Sequence, residues 1–353
     1  MAGLLRARVE LVAKEPAFEV LKTAGDPLPM AEFASALDAL AHEGDDLFYR
    51  GEIAALMVDR LAAGGQLSRR DLETYEVVRR APVELDWRGH RLLTNPAPSL
   101  GGTMVAMALA LMEKTDLARD GFGGPAHVTA LAGALRLSGE ARDSLQADAA
   151  RLLHPDVLRR YREALAKHPA MTRGTTHISV IDALGNAASA TVSNGEGAGV
   201  LVPGTGIMLN NMLGEDDINP DGFHAWPLGV RLASMMAPSV IRSPGGGLLA
   251  LGSGGSKRIR SAIPQVIINR FCFGQELAEA VAAPRLHGEG KLLSHEAGFS
   301  ERAISAAGAF YPENQAWAEA SFFFGGVQAV ERGAKGDVQA AGDPRRGGEA
   351  CLV

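Results

Sequence analysis

The stretch Gly174-Thr175-Thr176-His177, followed at once by Ile178–Asp182 and Ala187–Asn194, decides how this chain is read. Ile178 and Val180 alternate with Ser179, and Ala188, Ala190 and Val192 alternate with Ser189, Thr191 and Ser193, so two half-buried strands are expected. Ala183-Leu184-Gly185-Asn186 between them suits a four-residue hairpin loop, since Gly185 and Asn186 tolerate positive φ. If Asp182 pairs with Ala187, Thr175 stands opposite Asn194 and Thr176 opposite Ser193. Opposed residues have Cβ atoms about 5 Å apart, within hydrogen-bonding reach for short polar side chains. A threonine at the head of such a strand can serve as a nucleophile if the chain cuts itself just before it, because the freed α-amine then acts as its base. Gly174 suits that cut, since glycine accepts a strained backbone. The competing reading is an ordinary hairpin with a polar edge.

Further blocks carry a resemblance. Thr175–Asp182, Gly185-Asn186-Ala187 and Pro203–Asn211 resemble the start of the small subunit of γ-glutamyltransferases, also called γ-glutamyltranspeptidases or glutathione hydrolases. Phe48–Ala54, Asn95–Gly102, Gly252–Ser256, Ala283-Pro284-Arg285 and Gly342–Gly348 agree with the same family, in family order from about Asp45 onward. The resemblance implies an α+β fold, the αββα four-layer sandwich of N-terminal nucleophile hydrolases. It also implies a precursor that self-cleaves between Gly174 and Thr175. Residues 1–174 would then form the large-subunit region and 175–353 the small-subunit region, held together as a heterodimer within one sandwich. Thr175 takes the nucleophile's place, and Ser193 stands where the family has a second threonine bonded to it. Asn194 is similar to the family's asparagine near the substrate amino group, and Gly254 and Gly255 match the pair that forms the oxyanion hole. Backbone donors aimed at a developing oxyanion are often the largest catalytic term, and glycine lets a chain approach that closely. The implied substrate is a small γ-glutamyl compound, with no cofactor and no metal.

The chain departs from the family in two places. Its substrate carboxylate is held partly by adjacent serines, whereas this chain has Ser234-Met235-Met236-Ala237-Pro238, one serine and one methionine. After Asn210-Asn211 the family has two polar contacts to the substrate amino group; here Met212-Leu213-Gly214-Glu215 leaves Glu215 as the one candidate. Both changes bear on substrate identity more than on reaction type. Nothing in Met1–Asp45 resembles the family's long Gly-rich front and its carboxylate-binding arginine. The chain therefore reads as a sandwich incomplete at its N-terminus, and a non-catalytic remnant or association module is the rival expectation.

Composition bounds the rest. A formal charge of −6 and the lack of a basic stripe interleaved with aromatics exclude a nucleic-acid footprint. Two cysteines, Cys272 and Cys351, make neither a disulfide framework nor a metal spacing. The longest apolar run, Met104–Met112, is too short to span a bilayer and reads as a buried helix. Without a leader at Met1, cytoplasm is the default expectation, and a higher oligomer stays open. Gly252–Lys257 fails the phosphate-loop spacing, because Ser256 precedes Lys257. His177 reads as a structural partner rather than a base, and Glu215-Asp216-Asp217 as a solvated turn or an ammonium contact rather than a cation site. His154, His168 and His224 lack ligand spacing.

Helices are expected in two stretches within 31–64, the second spanning Leu47–Ala63, then from a capping box at Ser68–Asp71 and over Gly101–Lys114. Two more are expected at Asp143–Leu153 and from Pro155 to about Lys167, then Ser256–Phe273 and one from Gln275. Strands are expected at Val83–Asp86, Arg91–Thr94, through most of 175–252, and near Phe322–Val330.

Overall fold

The computed structural model describes residues 30–144, 153–154, 175–195, 197–215, 218–219 and 222–353. The expected helix from Pro155, most of that at Asp143–Leu153, the Met171–Gly174 segment and Asp216-Asp217 lie outside them. The chain groups into two compact units, one of residues up to Arg80 with Asn194–Gly214, the other of Ala81–Ser193 with Glu215–Val353.

The smaller unit opens with α1 (Ala31–Glu43), α2 (Asp46–Tyr49), α3 (Glu52–Leu61) and α4 (Arg69–Glu73). The expected Leu47–Ala63 helix is broken at Arg50-Gly51: Gly51 leaves the helical region (φ −89°, ψ −149°), and a Cβ there would lie 2.9 Å from the Leu47 Cα. The capping box before α4 is formed both ways, Asp71 N–H donating to Ser68 Oγ and Ser68 N–H to the Asp71 carboxylate. Ile53, Ala54, Met57 and Leu72 form this unit's core with Val202. Val202 belongs to β5 (Leu201–Val202), which pairs antiparallel with β6 (Ile207–Met208).

In the larger unit β1 (Val83–Trp87) and β2 (His90–Thr94) form a hairpin whose turn residues Arg88 and Gly89 both have positive φ, the type I′ geometry that matches strand twist. The six-stranded antiparallel sheet runs β1-β2-β7-β8-β12-β13, with β7 (Ser239–Arg242), β8 (Leu248–Gly254), β12 (Gly326–Arg332) and β13 (Val338–Ala341). One face is covered by α5 (Gly101–Met112), α7 (Ile259–Cys272) and α8 (Leu277–Ala282). α5 is apolar all round, and nearly all of it is buried, between the sheet and α6 (Pro125–Ser144). The sequence pattern predicts no helix over most of α6, because Gly133 and Gly139 dilute it. Pro125 opens it, and the Asp120 carboxylate accepts from Ala126 N–H in its first turn. A three-stranded sheet of β9 (Leu286–Glu289), β10 (Leu292–Glu296) and β11 (Glu313–Trp317) packs beyond α6 and α7, with α9 (Glu301–Ala307) against α6. The expected strand-rich run up to Gly252 is instead irregular through most of the described residues of 209–238, where Gly, Pro, Asp and Asn recur.

A buried charge cluster ties the C-terminal segment into the unit. The carboxylate of Asp343, fully buried, lies 2.6 Å from Arg285 Nη2 and 3.3 Å from Arg345 Nη1, and accepts from the N–H of Val327 and Arg345. Arg345 also pairs with buried Glu296 at 2.5 Å.

Candidate active site

The other face of the large sheet carries the hairpin of β3 (Thr176–Ile181) and β4 (Ala187–Val192), which packs across β7, β8 and β12 as a second sheet layer. Its register corrects the expected one by a residue: Ile181 pairs with Ala187 and Thr176 with Val192. The cause is the turn. Asp182 N–H donates to the Asn186 carbonyl, and the Asp182 carboxylate accepts from both the N–H and the side-chain amide of Asn186. The connection is thereby shortened to Ala183-Leu184-Gly185, with Gly185 at φ +84°. Thr175 therefore meets Ser193 rather than Asn194, and its Oγ1 donates to Ser193 Oγ at 3.4 Å.

The hairpin is inverted relative to a usual half-buried one. Ile178, Val180 and Val192 face outward and are more than half exposed, while His177, Ser179, Ser189 and Thr191 turn toward the sheet. They form a polar seam: His177 Nδ1 lies 2.7 Å from Thr191 Oγ1 and Nε2 2.8 Å from Ser179 Oγ. Ser179 and Ser189 donate to the carbonyls of Gln328 and Leu251, and Ser189 accepts from Ser239 N–H. Gly252 makes the slot for the imidazole, since a Cβ there would lie 2.3 Å from its ring. His177 is thus engaged within the seam and makes no described hydrogen bond to Thr175. Burial pushes its pKa down to about 4, as it does for His127 and for His287, where hydrogen bonding to Glu289 offsets only part of the effect. Below the unfolded value of about 6.5 the unfolded chain takes up protons that the folded one refuses, so stability is expected to fall from pH 6.5 toward pH 4. The slope is up to about 1.4 kcal/mol per pH unit for each histidine. Thermal melts at pH 7.5 and 5.0 check this; equal midpoints would contradict it.

Gly254 ends β8 against the nucleophile candidate, and a Cβ on it would fall 1.9 Å from the Thr175 carbonyl oxygen. Gly255 follows at φ +130° and Ser256 at φ +51°, a left-handed pair of which the second is costly for a residue with a side chain. Arg258 holds this turn, its N–H donating to the Gly255 carbonyl and its Nε to that of Phe323. Thr175, Ser193, Gly254 and Gly255 are therefore gathered in one place.

Ser234 and Met235 are buried at the head of α5. The Ser234 carbonyl accepts from Ser99 Oγ and from the N–H of Leu100 and Gly101, and its hydroxyl donates to Ser99 Oγ at 3.1 Å. The Met235 carbonyl occupies the space of a Cβ at Gly101. Asn95 Nδ2 and Ser99 Oγ both donate to the Met236 carbonyl. This clamp was missed in sequence, where Asn95–Gly102 counted only toward resemblance. Glu215 is buried, its carbonyl accepting from Asn219 Nδ2. Asn194 belongs to the smaller unit, where its carbonyl accepts from Gly197 and Asn211 N–H. Gly174 lies outside the described residues. Among the described residues no cluster of histidine, cysteine and carboxylate side chains could hold a metal, and no helix is long and apolar enough to cross a membrane.

The fold is that of N-terminal nucleophile hydrolases. The structure matches cephalosporin acylase from Bacillus halodurans with a TM-score of 0.78 at 22% identity, covering 99% of this chain and 69% of that one. The family model described as Gamma-glutamyltranspeptidase matches residues 16–353, and the chain belongs to that family. It is 29% identical to the glutathione hydrolase proenzyme of Escherichia coli (strain K12), over 91% of this chain and 61% of that protein. With the acylase ACY 1 proenzyme of Pseudomonas sp. (strain SE83) the identity is 33%, over 80% and 54%. Human glutathione hydrolase 5 proenzyme is 30% identical over 92% and 64%. The chain thus spans less than two thirds of the length of these relatives.

Proposed function

We propose that this chain carries the nucleophile-bearing part of a γ-glutamyl hydrolase or transferase that cuts itself between Gly174 and Thr175. The observation that carries the reading is the convergence of Thr175, Ser193 and Gly254: one hydroxyl within 3.4 Å of another, and the nucleophile's carbonyl packed on a glycine with no room for a side chain. After the cut, the Thr175 α-amine accepts the proton of its own hydroxyl as Oγ1 attacks the γ-glutamyl carbonyl. The N–H groups of Gly254 and Gly255 hold the resulting oxyanion, an interaction worth about 3–4 kcal/mol per donor in related chemistry. As the tetrahedral intermediate collapses, the α-ammonium passes that proton to the leaving nitrogen, which departs as a neutral amine; water or a second amine, giving up a proton to the α-amine, then attacks the acyl-enzyme, and the proton returns to Thr175 Oγ1 as the acyl group is released. Ser193 orients the nucleophile, and Glu215, Ser234 and Met235 contact the glutamyl part. The two fragments stay together as a heterodimer, in keeping with the proenzyme names of the relatives.

A second reading, an acylase acting on an amide other than a γ-glutamyl one, is favoured by the 33% identity to the ACY 1 proenzyme and by methionine at position 235. Intact-mass spectrometry of the purified protein tests the proposal. Two fragments split after Gly174 support it; a single chain of 37.0 kDa overturns self-cleavage for this chain. Turnover of a γ-glutamyl anilide against a glutaryl anilide then separates the two readings.

A further inference from the structure

Ser256, next to the glycine pair, sits at φ +51°, and strain of this kind persists only where the surroundings hold it. Arg258 fastens the turn to the segment before β12. Its Nε donates to the Phe323 carbonyl at 2.9 Å, and its guanidinium lies 4.8 Å from the Phe323 ring centroid. A second fastening runs to the three-stranded sheet. Lys257, between Ser256 and Arg258, places its Nζ 3.2 Å from Glu289 Oε1 at the end of β9, with the two side chains only 12% and 6% exposed. The other carboxylate oxygen of Glu289 lies 3.1 Å from His287 Nε2, and His287 Nδ1 lies 2.6 Å from Ser261 Oγ. His287 is neutral at pH 7, so the Ser261 hydroxyl donates to Nδ1 and Nε2–H donates to Glu289. Ser261 belongs to α7 and comes four residues after Lys257. The glycine turn and the start of the helix that follows it are therefore both tied to β9. Burial alone would raise the Glu289 carboxyl, but His287, Lys257 and Arg260 outweigh it and bring its pKa down to about 2, so it stays charged across the neutral range.

A buried ion pair contributes little net stability, because desolvation offsets the attraction. What this one fixes is direction. Lys257 directly follows Ser256, so its Cα cannot shift without rotating the peptide units of the turn, and the Gly255 N–H lies only two units before it. Misplacing a catalytic group by about 1 Å can cost a hundredfold in rate, and losing an oxyanion donor outright costs about 10²–10³.

We propose that Lys257 and Glu289 are positioning residues for this turn, the ion pair between them keeping the Gly254 and Gly255 N–H groups aimed at the oxygen of the tetrahedral intermediate. The proposal rests on the reading of Thr175 as nucleophile and of the glycine pair as its oxyanion donors. The test measures kcat, KM and melting temperature for wild type, Lys257→Met, Lys257→Arg and Glu289→Gln with γ-glutamyl-4-nitroanilide as substrate. Lys257→Met keeps the aliphatic stem and removes the charge. Its kcat should fall about tenfold to a hundredfold with KM within about twofold, since only the transition state carries the oxyanion. Lys257→Arg should recover most of that loss. Glu289→Gln should fall as Lys257→Met does, and the double variant should be no slower than either single one. A lowered melting temperature with kcat unchanged, or an equal loss of kcat in Lys257→Arg, would overturn the positioning role. Turnover by wild type reports on the nucleophile reading separately. Independently of turnover, amide hydrogen exchange can be followed in the peptide Gly254–Ile259, where Arg258 N–H donates to the Gly255 carbonyl. Exchange there should quicken about tenfold in Lys257→Met and stay near the wild-type rate in Lys257→Arg. An unchanged rate in Lys257→Met overturns the proposal.

Discussion

Thr175→Ala should remain a single chain and lose amide turnover by at least about 10⁴-fold, whereas Ser193→Ala should still be cut, about tenfold to a hundredfold more slowly. The asymmetry follows from the two roles. In the proposed mechanism Thr175 Oγ1 forms the bond to the acyl carbon, and no other hydroxyl would carry the α-amine freed by the cut. Ser193 reaches that oxygen through one hydrogen bond of 3.4 Å, long for a hydroxyl pair, so its loss removes orientation and not the reaction. Thr175→Ser keeps the reacting oxygen and should be both cut and active. Intact mass read over hours after purification gives the cleavage rates, and anilide release gives turnover. Uncut Ser193→Ala beside normally cut Thr175→Ala would reverse the assignment.

The largest stability effect is expected at Asp343, which touches no proposed substrate atom. Asp343→Ala removes a carboxylate that faces two buried guanidinium groups and two backbone N–H donors. Breaking a buried pair by deleting one partner costs about 3–5 kcal/mol, because the remaining charge is stranded away from water. In a domain of this size that is a fall of about 10 °C in melting temperature. The surface pair Arg91–Glu84, 3.1 Å apart with both side chains about half exposed, supplies the contrast. Arg91→Ala should cost no more than about 1 kcal/mol of stability, since solvent screens such pairs. Similar shifts in the two variants would show that the Asp343 cluster is not what anchors the C-terminal segment.

Local patterns were legible where chemistry and period agreed. The Arg88-Gly89 turn, the Ser68–Asp71 capping box and the buried helix at Gly101 follow from residue type alone, and all three are present. The β3–β4 hairpin was legible as a hairpin, but its register was off by one because Asp182 was counted as a strand residue. Its carboxylate in fact closes the turn on Asn186. β9 and β10 were invisible because their buried positions carry His287, Glu289 and Glu296, polar groups satisfied by partners distant in sequence. Long helices were misjudged at glycines, broken at Gly51 and continuous through Gly133 and Gly139, since the surroundings of each glycine differ: the preceding turn's backbone at Gly51, the Phe310 and Arg260 side chains at the other two. Thr175, Ser193 and the Gly254–Gly255 pair were singled out by the family resemblance, with strand spacing placing Ser193 near Thr175.

The short turn at Asp182–Asn186 also constrains how this stretch can change over evolutionary time. Side chains alternate faces with a period of two, so a single codon gained or lost in either arm would shift every pairing beyond it. In β4, such a change would carry Ser189 and Thr191 out of the seam and set Thr175 against a different neighbour. Length variation between Thr175 and Ser193 is therefore expected at the tip, around Leu184, or as matched changes in both arms. Comparing the spacing from this threonine to its hydroxyl partner across related genes would show whether lineages have kept this count.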